Sequence, residues 1–398
     1  MDLNRTDRIG ELLTGYLKDF VFDELSEEYL KKAGVYDILK DVPVPIRRTE
    51  MTGITVLKIA LNMAFVIGCD PNFKYRDNYV KYILKNFDKR FSDGLLAQGM
   101  DRAEKSSFEE AVIDFRAAIL VDPDNAKAYY CYGRGLKDCY EKLLNDEQDM
   151  TSGVSYSKET EDMVGRYKAE SLEAFEVATL KDPDLAEAYY YLGYAYLNMG
   201  LYLKAKLTWE TYVKLGNETD FDKLTDKARK SLEESLKEIS QRLEQLEQPV
   251  KIEEGYNMIL SGKFEDGIKA LRPYTESDFK NWWPLWFYLG TAYKELAAQS
   301  KDELLKAEPE ADAAKDDVVV AASEEAVKNF LEVLKLSPSN RDAMEELVKL
   351  HRFLGNDEKV NKYETKLKIV EENAEADREL IRHQAQKDAG VTNPVKMS

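Results

Sequence analysis

The side chains that could carry out chemistry are few, and their spacing predicts no catalytic centre. The chain has only two histidines, His351 and His383, each with ordinary helical neighbours. A Ser-His-Asp triad or a histidine metal site needs groups that converge, and two isolated histidines do not supply them. We expect both to be packing or surface residues. We predict that the protein is not an enzyme and uses no metal or cofactor.

The three cysteines, Cys69, Cys131 and Cys139, predict neither a zinc site nor a disulfide framework. Cys131 and Cys139 lie eight residues apart on one predicted helix, which is too far for a disulfide within it. The nearby stretch GRGLKD (133–138) follows no predicted strand, so it does not predict a phosphate-binding loop. We interpret the cysteines as packing residues in a reducing compartment.

The charge balance disfavours two classes of partner. The chain of 398 residues has 75 acidic and 57 basic residues, a net charge of -18. Such a field repels nucleic-acid phosphates and anionic lipids. The most apolar run, 54–68, is interrupted by Lys58 and Asn62 and is too short to span a bilayer, and the N-terminus does not resemble a secretory signal. We therefore predict a soluble, cytoplasmic protein with neither nucleic-acid nor membrane partners.

Two stretches of the chain are nearly the same in residue type and spacing. Residues 120–140 read LVDPDNAKAYYCYGRGLKDCY, and residues 180–200 read LKDPDLAEAYYYLGYAYLNMG. Outward from them a template recurs with Gly, an aromatic residue, Ala, a second aromatic residue and Pro at fixed offsets. Its clearest members are Gly99, Phe115 and Pro123, then Gly193, Ala205 and Trp209, then Gly255 and Leu271. This pattern resembles the tetratricopeptide repeat of about 34 residues.

The resemblance covers 92–374 and implies an all-α fold, a TPR-type α-solenoid of antiparallel helix pairs. Glycine and alanine would lie where paired helices approach closely, and proline would end the second helix. We divide the chain into an N-terminal helical domain (1–91), a first repeat block (92–219), a connecting long helix (220–247), a second repeat block (248–374), and a capping helix with tail (375–398).

Two repeats are longer than the template in the same way. Phe175 lies about 26 residues farther along the chain from Gly133 than the template predicts, and Phe330 lies about 24 residues farther from Gly290. Helical spacing continues into both insertions, so we predict two lengthened helical hairpins, at about 140–167 and about 297–322, rather than disordered loops. Each of the two blocks contains a repeat of normal length, then a lengthened repeat, then another of normal length. This order suggests an internal duplication.

The remaining segments predict further helices. In 221–248 apolar residues recur in steps of four and three, which predicts one long amphipathic helix. It is either a connector packed on the repeats or a dimerising coiled coil, and fewer than three heptads favour the connector. In 1–91 we expect several helices with an extended joint at DVPVPI (41–46), and a degenerate repeat at 54–73. The stretch 375–388 predicts a polar capping helix before a frayed tail.

In arrays of this family the first helix of each repeat lines a concave groove, so the resemblance implies where a partner would bind. The candidate residues are Tyr130, Arg134, Lys137, Tyr190, Tyr191, Tyr194, Tyr256, Phe287, Tyr288 and Lys294. Tyrosine supplies a rigid contact area and a hydroxyl, which suits peptide recognition. The alternative is that these rings fill a tightly wound superhelix or receive an N-terminal helix.

Two functions remain. The favoured one is a non-catalytic scaffold that binds a peptide or helical segment of a partner protein in this tyrosine-rich groove. The alternative is a self-assembling structural protein that associates through the long helix or the hairpins. The Lys and Asn clamp with which some members hold a C-terminal carboxylate is absent, because the equivalent positions hold residues such as Leu96, Met100 and Glu187. A monomer is favoured, and the oligomeric state stays open.

Overall fold

The computed structural model describes residues 7–50, 55–151 and 158–388. Part of the predicted first hairpin tip and the tail at 389–398 lie outside the described residues. By its internal contacts the chain divides into two compact units, 1–244 and 245–398. The five segment boundaries expected above stay a prediction.

The first unit contains twelve α-helices in its described part. They are α1 (Gly10–Leu13), α2 (Glu27–Lys32), α3 (Tyr36–Leu39), α4 (Val56–Cys69), α5 (Arg76–Phe87), α6 (Phe91–Glu104), α7 (Phe108–Val121), α8 (Ala126–Thr151), α9 (Lys158–Lys181), α10 (Ala186–Asn198), α11 (Tyr202–Glu218) and α12 (Asp226–Gln245), which ends at the unit boundary. The second unit contains α13 (Glu247–Leu260), α14 (Phe264–Leu271), α15 (Trp283–Ala307), α16 (Asp317–Leu336), α17 (Arg341–Phe353) and α18 (Asp357–Asp388).

The N-terminal segment contains a two-stranded antiparallel sheet beside its helices, of which the sequence predicted only an extended joint at 41–46. Strands β1 (Phe20–Asp23) and β2 (Val44–Arg47) pair antiparallel, with Phe20 opposite Arg47. Pro43 and Pro45 disfavour helix on either side of Val44, since each proline removes an N–H donor and pushes the preceding residue into an extended conformation. Strand β2 of this small sheet packs on α4, and the Arg47 guanidinium lies 4.7 Å from the centre of the Phe65 ring.

Consecutive helices pack as antiparallel pairs, with α6 on α7, α8 on α9 and α10 on α11 in the first unit. In each pair a glycine of the first helix faces a ring of the second. Gly99 contacts Phe115, Gly133 contacts Phe175 and Gly193 contacts Trp209, and a Cβ at any of the three glycines would overlap the ring. The three rings are at most 3% exposed. The predicted all-α fold of helix pairs is confirmed.

The second unit repeats this arrangement with α13 on α14, α15 on α16 and α17 on α18. Here Gly255 lies against Leu271, and Gly290 lies against Phe330. Each lengthened pair therefore brings together the glycine and the phenylalanine that the repeat template assigns to one repeat. The surplus residues of both lengthened pairs lie beyond these contacts, in α8 and α9 of 26 and 24 residues and in α15 and α16 of 25 and 20 residues.

Two helix bounds differ from the expectation. The predicted helix over 221–248 is shorter: Thr225 caps the first turn of α12, and the helix ends at Gln245. Pro249, in the first turn of α13, cannot donate to the Gln245 carbonyl, so it prevents α12 and α13 from forming one continuous ladder. The predicted capping helix at 375–388 is not separate, because α18 continues without a break to Asp388.

The N-terminal segment is attached to the first unit by ion pairs. Arg116 of α7, which is 3% exposed, pairs with Asp7. Arg8 lies 3.1 Å from Glu170 and 3.0 Å from Glu173 of α9. Among the helices in the described ranges, none is long and apolar enough to cross a membrane.

We predict that Gly193→Ala destabilises the protein, because the new methyl group overlaps the Trp209 indole, which has no exposed surface. Gly165→Ala is the matched control: Gly165 is also helical, but nothing lies within 4 Å of the position of its Cβ. Both substitutions replace a helical glycine with alanine and gain the same helix propensity. The difference between their free energies of unfolding therefore measures the steric overlap. We expect Gly193→Ala to be less stable than Gly165→Ala by about 1–3 kcal/mol in urea unfolding followed by circular dichroism. Equal unfolding midpoints would contradict the close contact.

Candidate functional site

Predicted partner-binding residues of α8 and α10 form one aromatic cluster in the first unit. The Tyr191 ring stacks on Phe175 with ring centres 5.7 Å apart and planes 14° apart. Tyr130 lies 6.1 Å from Tyr191. The Arg134 guanidinium lies 4.4 Å from the centre of the Tyr191 ring, and its Nη1 donates a hydrogen bond to the Tyr130 hydroxyl at 3.3 Å. The Tyr191 face, as we call Tyr130, Arg134, Lys137 and Tyr191, is half-buried.

The helical repeat accounts for this arrangement. Tyr130 and Arg134 are four residues apart, so they lie on the same face of α8. Gly133, beside them, lets α9 approach closely enough for Phe175 to reach Tyr191. The face is rigid because each ring is held by a neighbour.

Burial controls the ionisation of the Tyr191 face. Burial raises the pKa of Tyr130 to about 12 and raises the pKa of Tyr191 above its usual value, so both hydroxyls stay protonated near neutral pH. Arg134 Nε is buried and has no hydrogen-bond partner among the described residues. Lys137 pairs with Glu141 on the next turn of α8. The face therefore presents hydroxyl and guanidinium donors beside apolar rings.

The other two tyrosines of α10 are engaged by α12 of the same chain. Tyr190 donates to Glu238 Oε2 at 3.1 Å, and Tyr194 donates to the other carboxylate oxygen. The Arg242 guanidinium lies 5.0 Å from the centre of the Tyr194 ring and its Nε donates to Glu238 at 3.3 Å. Part of the tyrosine-rich surface predicted for a partner is thus covered by a helix that follows it in the chain.

Helix α12 also buries its apolar side in the first unit. Leu236 packs against Gly216 of α11, Ile239 has no exposed surface, and Ser235 shares a hydrogen bond of 2.6 Å with the Tyr212 hydroxyl. These contacts are those of a packed connector. The sequence analysis considered the leucines of this segment but did not identify Glu238 and Arg242 as contacts of the tyrosines. Their separation of four residues places both on one face of the helix, which was a usable signal.

In the second unit the predicted residues have separate surroundings. Tyr256 of α13 stacks on Tyr288 of α15, with ring centres 4.0 Å apart. Phe287 instead packs edge-on against the buried Phe330 at 5.4 Å. Lys294 pairs with Glu346 of α17 at 3.2 Å. Among these predicted residues, only the tyrosine pair forms a stacked aromatic contact.

Burial sets the protonation of two cysteines and one histidine in the described residues. Burial raises the pKa of Cys69 to about 12 and of Cys131 to about 11, which keeps both thiols protonated and poorly nucleophilic. His351 is 8% exposed and stacks on Tyr363 with ring centres 5.8 Å apart. Its burial lowers the pKa of the imidazole, and Lys359 and Lys362 add to this effect. The His383 side chain lies outside the described residues.

Comparisons with known proteins give neighbours in structure only. No family model matches the sequence, and no curated protein matches it. Similar solved structures include MamA protein, at 12% identity over 71% of this chain and 93% of that chain, with a TM-score of 0.23. Another is YrrB, described as a TPR protein with an unusual peptide-binding site, at 16% identity over 68% of this chain and 97% of that chain, with a TM-score of 0.24.

The TPR domain of P58(IPK) is also similar, at 14% identity over 74% of this chain and 99% of that chain, with a TM-score of 0.26. At these TM-scores the likeness carries no argument about what this chain binds. The tetratricopeptide resemblance of the sequence agrees with the helix pairs and with the glycine contacts inside them.

We predict that Glu238→Gln weakens the attachment of α12 in a pH-dependent way. The hydrogen bond from Tyr194 lowers the pKa of Glu238, so the ionised carboxylate stabilises the folded state above its usual pKa, and this stabilisation is lost as the pH falls through the lowered value. The side chain is 42% exposed, so solvent screens the interaction and we expect a loss of only about 0.5–1 kcal/mol at pH 7.

Urea unfolding at pH 7 and at pH 3.5 measures this effect. The gap between wild type and Glu238→Gln should shrink at the lower pH, because the stabilisation by the ionised carboxylate declines as the pH falls below the usual pKa of the group toward the lowered one. Glu233→Gln, an exposed change on the same helix, is the control and should show no such gap. A gap that is the same at both pH values would contradict the role of the carboxylate charge.

Proposed function

We propose that this protein is a non-catalytic scaffold that binds a peptide or helical segment of a partner protein on the Tyr191 face. The observation that carries the proposal is the preformed cluster of Tyr130, Arg134 and Tyr191, in which stacking and hydrogen bonds hold half-exposed aromatic side chains. Tyrosine and arginine are the side chains enriched where binding energy concentrates in interfaces. A rigid surface also loses little side-chain entropy on binding.

The contact between α10 and α12 suggests the chemistry of the partner. Glu238 accepts hydrogen bonds from two tyrosine hydroxyls of α10, and Arg242 stacks on one of these rings. The Tyr191 face offers the same groups, protonated hydroxyls beside a guanidinium. A partner segment with an Asp or Glu side chain next to an apolar residue would satisfy both the donors and the rings.

The stacked pair Tyr256 and Tyr288 in the second unit is a second candidate contact surface of the same kind. Self-assembly through α12 or the lengthened hairpins stays an alternative prediction. The burial of Leu236 and Ile239 within the first unit favours the connector for α12.

We predict that peptides selected on the wild-type protein from a display library lose affinity for Arg134→Ala. The change removes the cation stacked on Tyr191 and the donor to Tyr130, and we expect at least about tenfold weaker binding by isothermal titration calorimetry. Lys204→Ala is the matched control, since Lys204 lies 5.0 Å from the Tyr196 ring, away from the proposed face.

The control should bind within about twofold of wild type, the usual range for a residue outside the contact. Tyr191→Ala should lose affinity as Arg134→Ala does. If the selected peptides bind Arg134→Ala, Tyr191→Ala and Lys204→Ala with equal affinity, the binding site lies elsewhere and the proposal for this face is refuted.

A further inference from the structure

Each unit contains a cleft beside its first lengthened helix. In the first unit a cleft of about 430 Å³ lies between residues 106–110, which form the turn before α7 and its first residues, and residues 139–146 of α8, and Tyr16 and Tyr167 also line it. In the second unit a cleft of about 340 Å³ lies between residues 262–266, which form the turn before α14 and its first residues, and residues 296–303 of α15. We call them the first cleft and the second cleft.

The two clefts are built from corresponding positions. Cys139 and Leu296 are the fourteenth residues of α8 and α15, and Asp146 and Glu303 are the twenty-first. On the opposite wall, the turn in each case contains a residue of positive φ two positions before the next helix, Ser106 at 61° and Gly262 at 80°. That next helix begins with phenylalanine in both units, at Phe108 and Phe264.

The length of the helices explains why the clefts exist. The first helices of the plain pairs, α6, α10, α13 and α17, have 14, 13, 14 and 13 residues. α8 and α15 have 26 and 25 residues, so each extends past the turn of the preceding pair. The extended part packs on the second helix of its own pair, α9 or α16, and also faces the turn across a gap. The insertions that lengthen these two repeats therefore also create a concave surface in each unit.

Both clefts have carboxylates on two opposing walls and one ammonium group. The first is lined by Glu109, Glu110, Asp146 and Lys142, and the second by Glu265, Asp266, Glu303 and Lys263. The acids on the turn wall lie in the first turn of a helix, where the helix dipole stabilises them. Asp146 and Glu303 lie far along their helices, so that explanation does not apply to them. Opposing acidic walls concentrate negative potential inside each cleft.

The contacts of these acids leave capacity for a ligand. Glu109 accepts a hydrogen bond from Tyr16 at 2.7 Å, Glu110 lies 3.5 Å from Arg102, and Glu303 accepts one from Gln299 at 3.3 Å. A carboxylate accepts about four hydrogen bonds, so each can bind a further donor.

The arrangement fits an organic cation better than a metal ion. Within the part of the chain that the structure describes, no three His, Cys, Asp or Glu side chains converge closely enough to hold a metal ion. Between the acidic groups each cleft has apolar lining, from Phe108 and Leu143 in the first and from Phe264 and Leu296 in the second. An arginine or lysine side chain matches this combination, since its stem is apolar and its head is charged.

We propose that the two clefts are binding sites for basic segments of a partner protein, each of which accepts arginine or lysine side chains between its acidic walls. These sites are separate from the Tyr191 face, which is rich in donors. The net charge of -18 favours the approach of such a partner.

The test uses the full-length protein and a fluorescein-labelled peptide in which arginine alternates with glycine, with binding followed by fluorescence anisotropy at about 0.15 M salt. The double variant Asp146→Asn, Glu303→Gln removes one carboxylate from the long-helix wall of each cleft. The control, Asp184→Asn with Glu233→Gln, removes the same number of charges from exposed positions outside the clefts. Circular dichroism verifies that both variants are folded.

The proposal expects the cleft variant to bind the peptide at least about tenfold more weakly than wild type, and the control to stay within about twofold. Arg134→Ala should keep wild-type affinity for this peptide, whether or not it loses the peptides selected on the Tyr191 face. A wild-type protein that does not bind the peptide would overturn the proposal. Equal weakening by the cleft and control variants would overturn it too, because it would show that only the overall charge attracts the peptide.

Discussion

The close contact between a glycine on the first helix of a pair and a large side chain on the second is the constraint on which the other features depend. Gly133 with Phe175, Gly193 with Trp209 and Gly290 with Phe330 show it most clearly, since a single methyl group at the glycine would overlap the ring. The contact buries a large apolar side chain almost completely. Because it fixes the register of the pair, it also fixes which residues of the first helix remain accessible.

The two lengthened pairs keep this contact although their helices are much longer than those of the plain pairs. The insertions lie beyond the contact, so they leave the packed base of each pair unchanged. This separation allows the same element to have two surfaces. Near its start α8 presents Tyr130 and Arg134, and beyond the contact its extension forms one wall of an acidic cleft.

Charge is distributed unevenly over these surfaces. The Tyr191 face combines guanidinium and hydroxyl donors with apolar rings, whereas the clefts present carboxylates on both walls. Buried charges elsewhere are paired, as Arg116 is with Asp7, because an isolated buried charge is costly. A protein with a negative net charge can therefore have one surface rich in hydrogen-bond donors and others rich in carboxylates.

The sequence by itself determined the helix pairs, because the spacing of Gly, Ala and aromatic residues records where two helices meet. It also assigned Gly133 and Phe175 to one repeat, and Gly290 and Phe330 to another, across the insertions, since the helical period continues on both sides. The antiparallel pairing of Phe20–Asp23 with Val44–Arg47 was not predicted beyond an extended joint at the prolines, because strand pairing joins residues distant in the chain.

Only the tertiary structure decided which tyrosines remain available to a partner. Tyr190 and Tyr194 look like groove residues from their positions in the repeat, but Glu238 and Arg242 of α12 engage them. It also decided that residues of a turn and a helix more than thirty positions apart, such as Glu109 and Asp146, line one cleft. The physical reason is the same in both cases: local spacing specifies which face of a helix a residue occupies, whereas what covers that face depends on how the other helices pack.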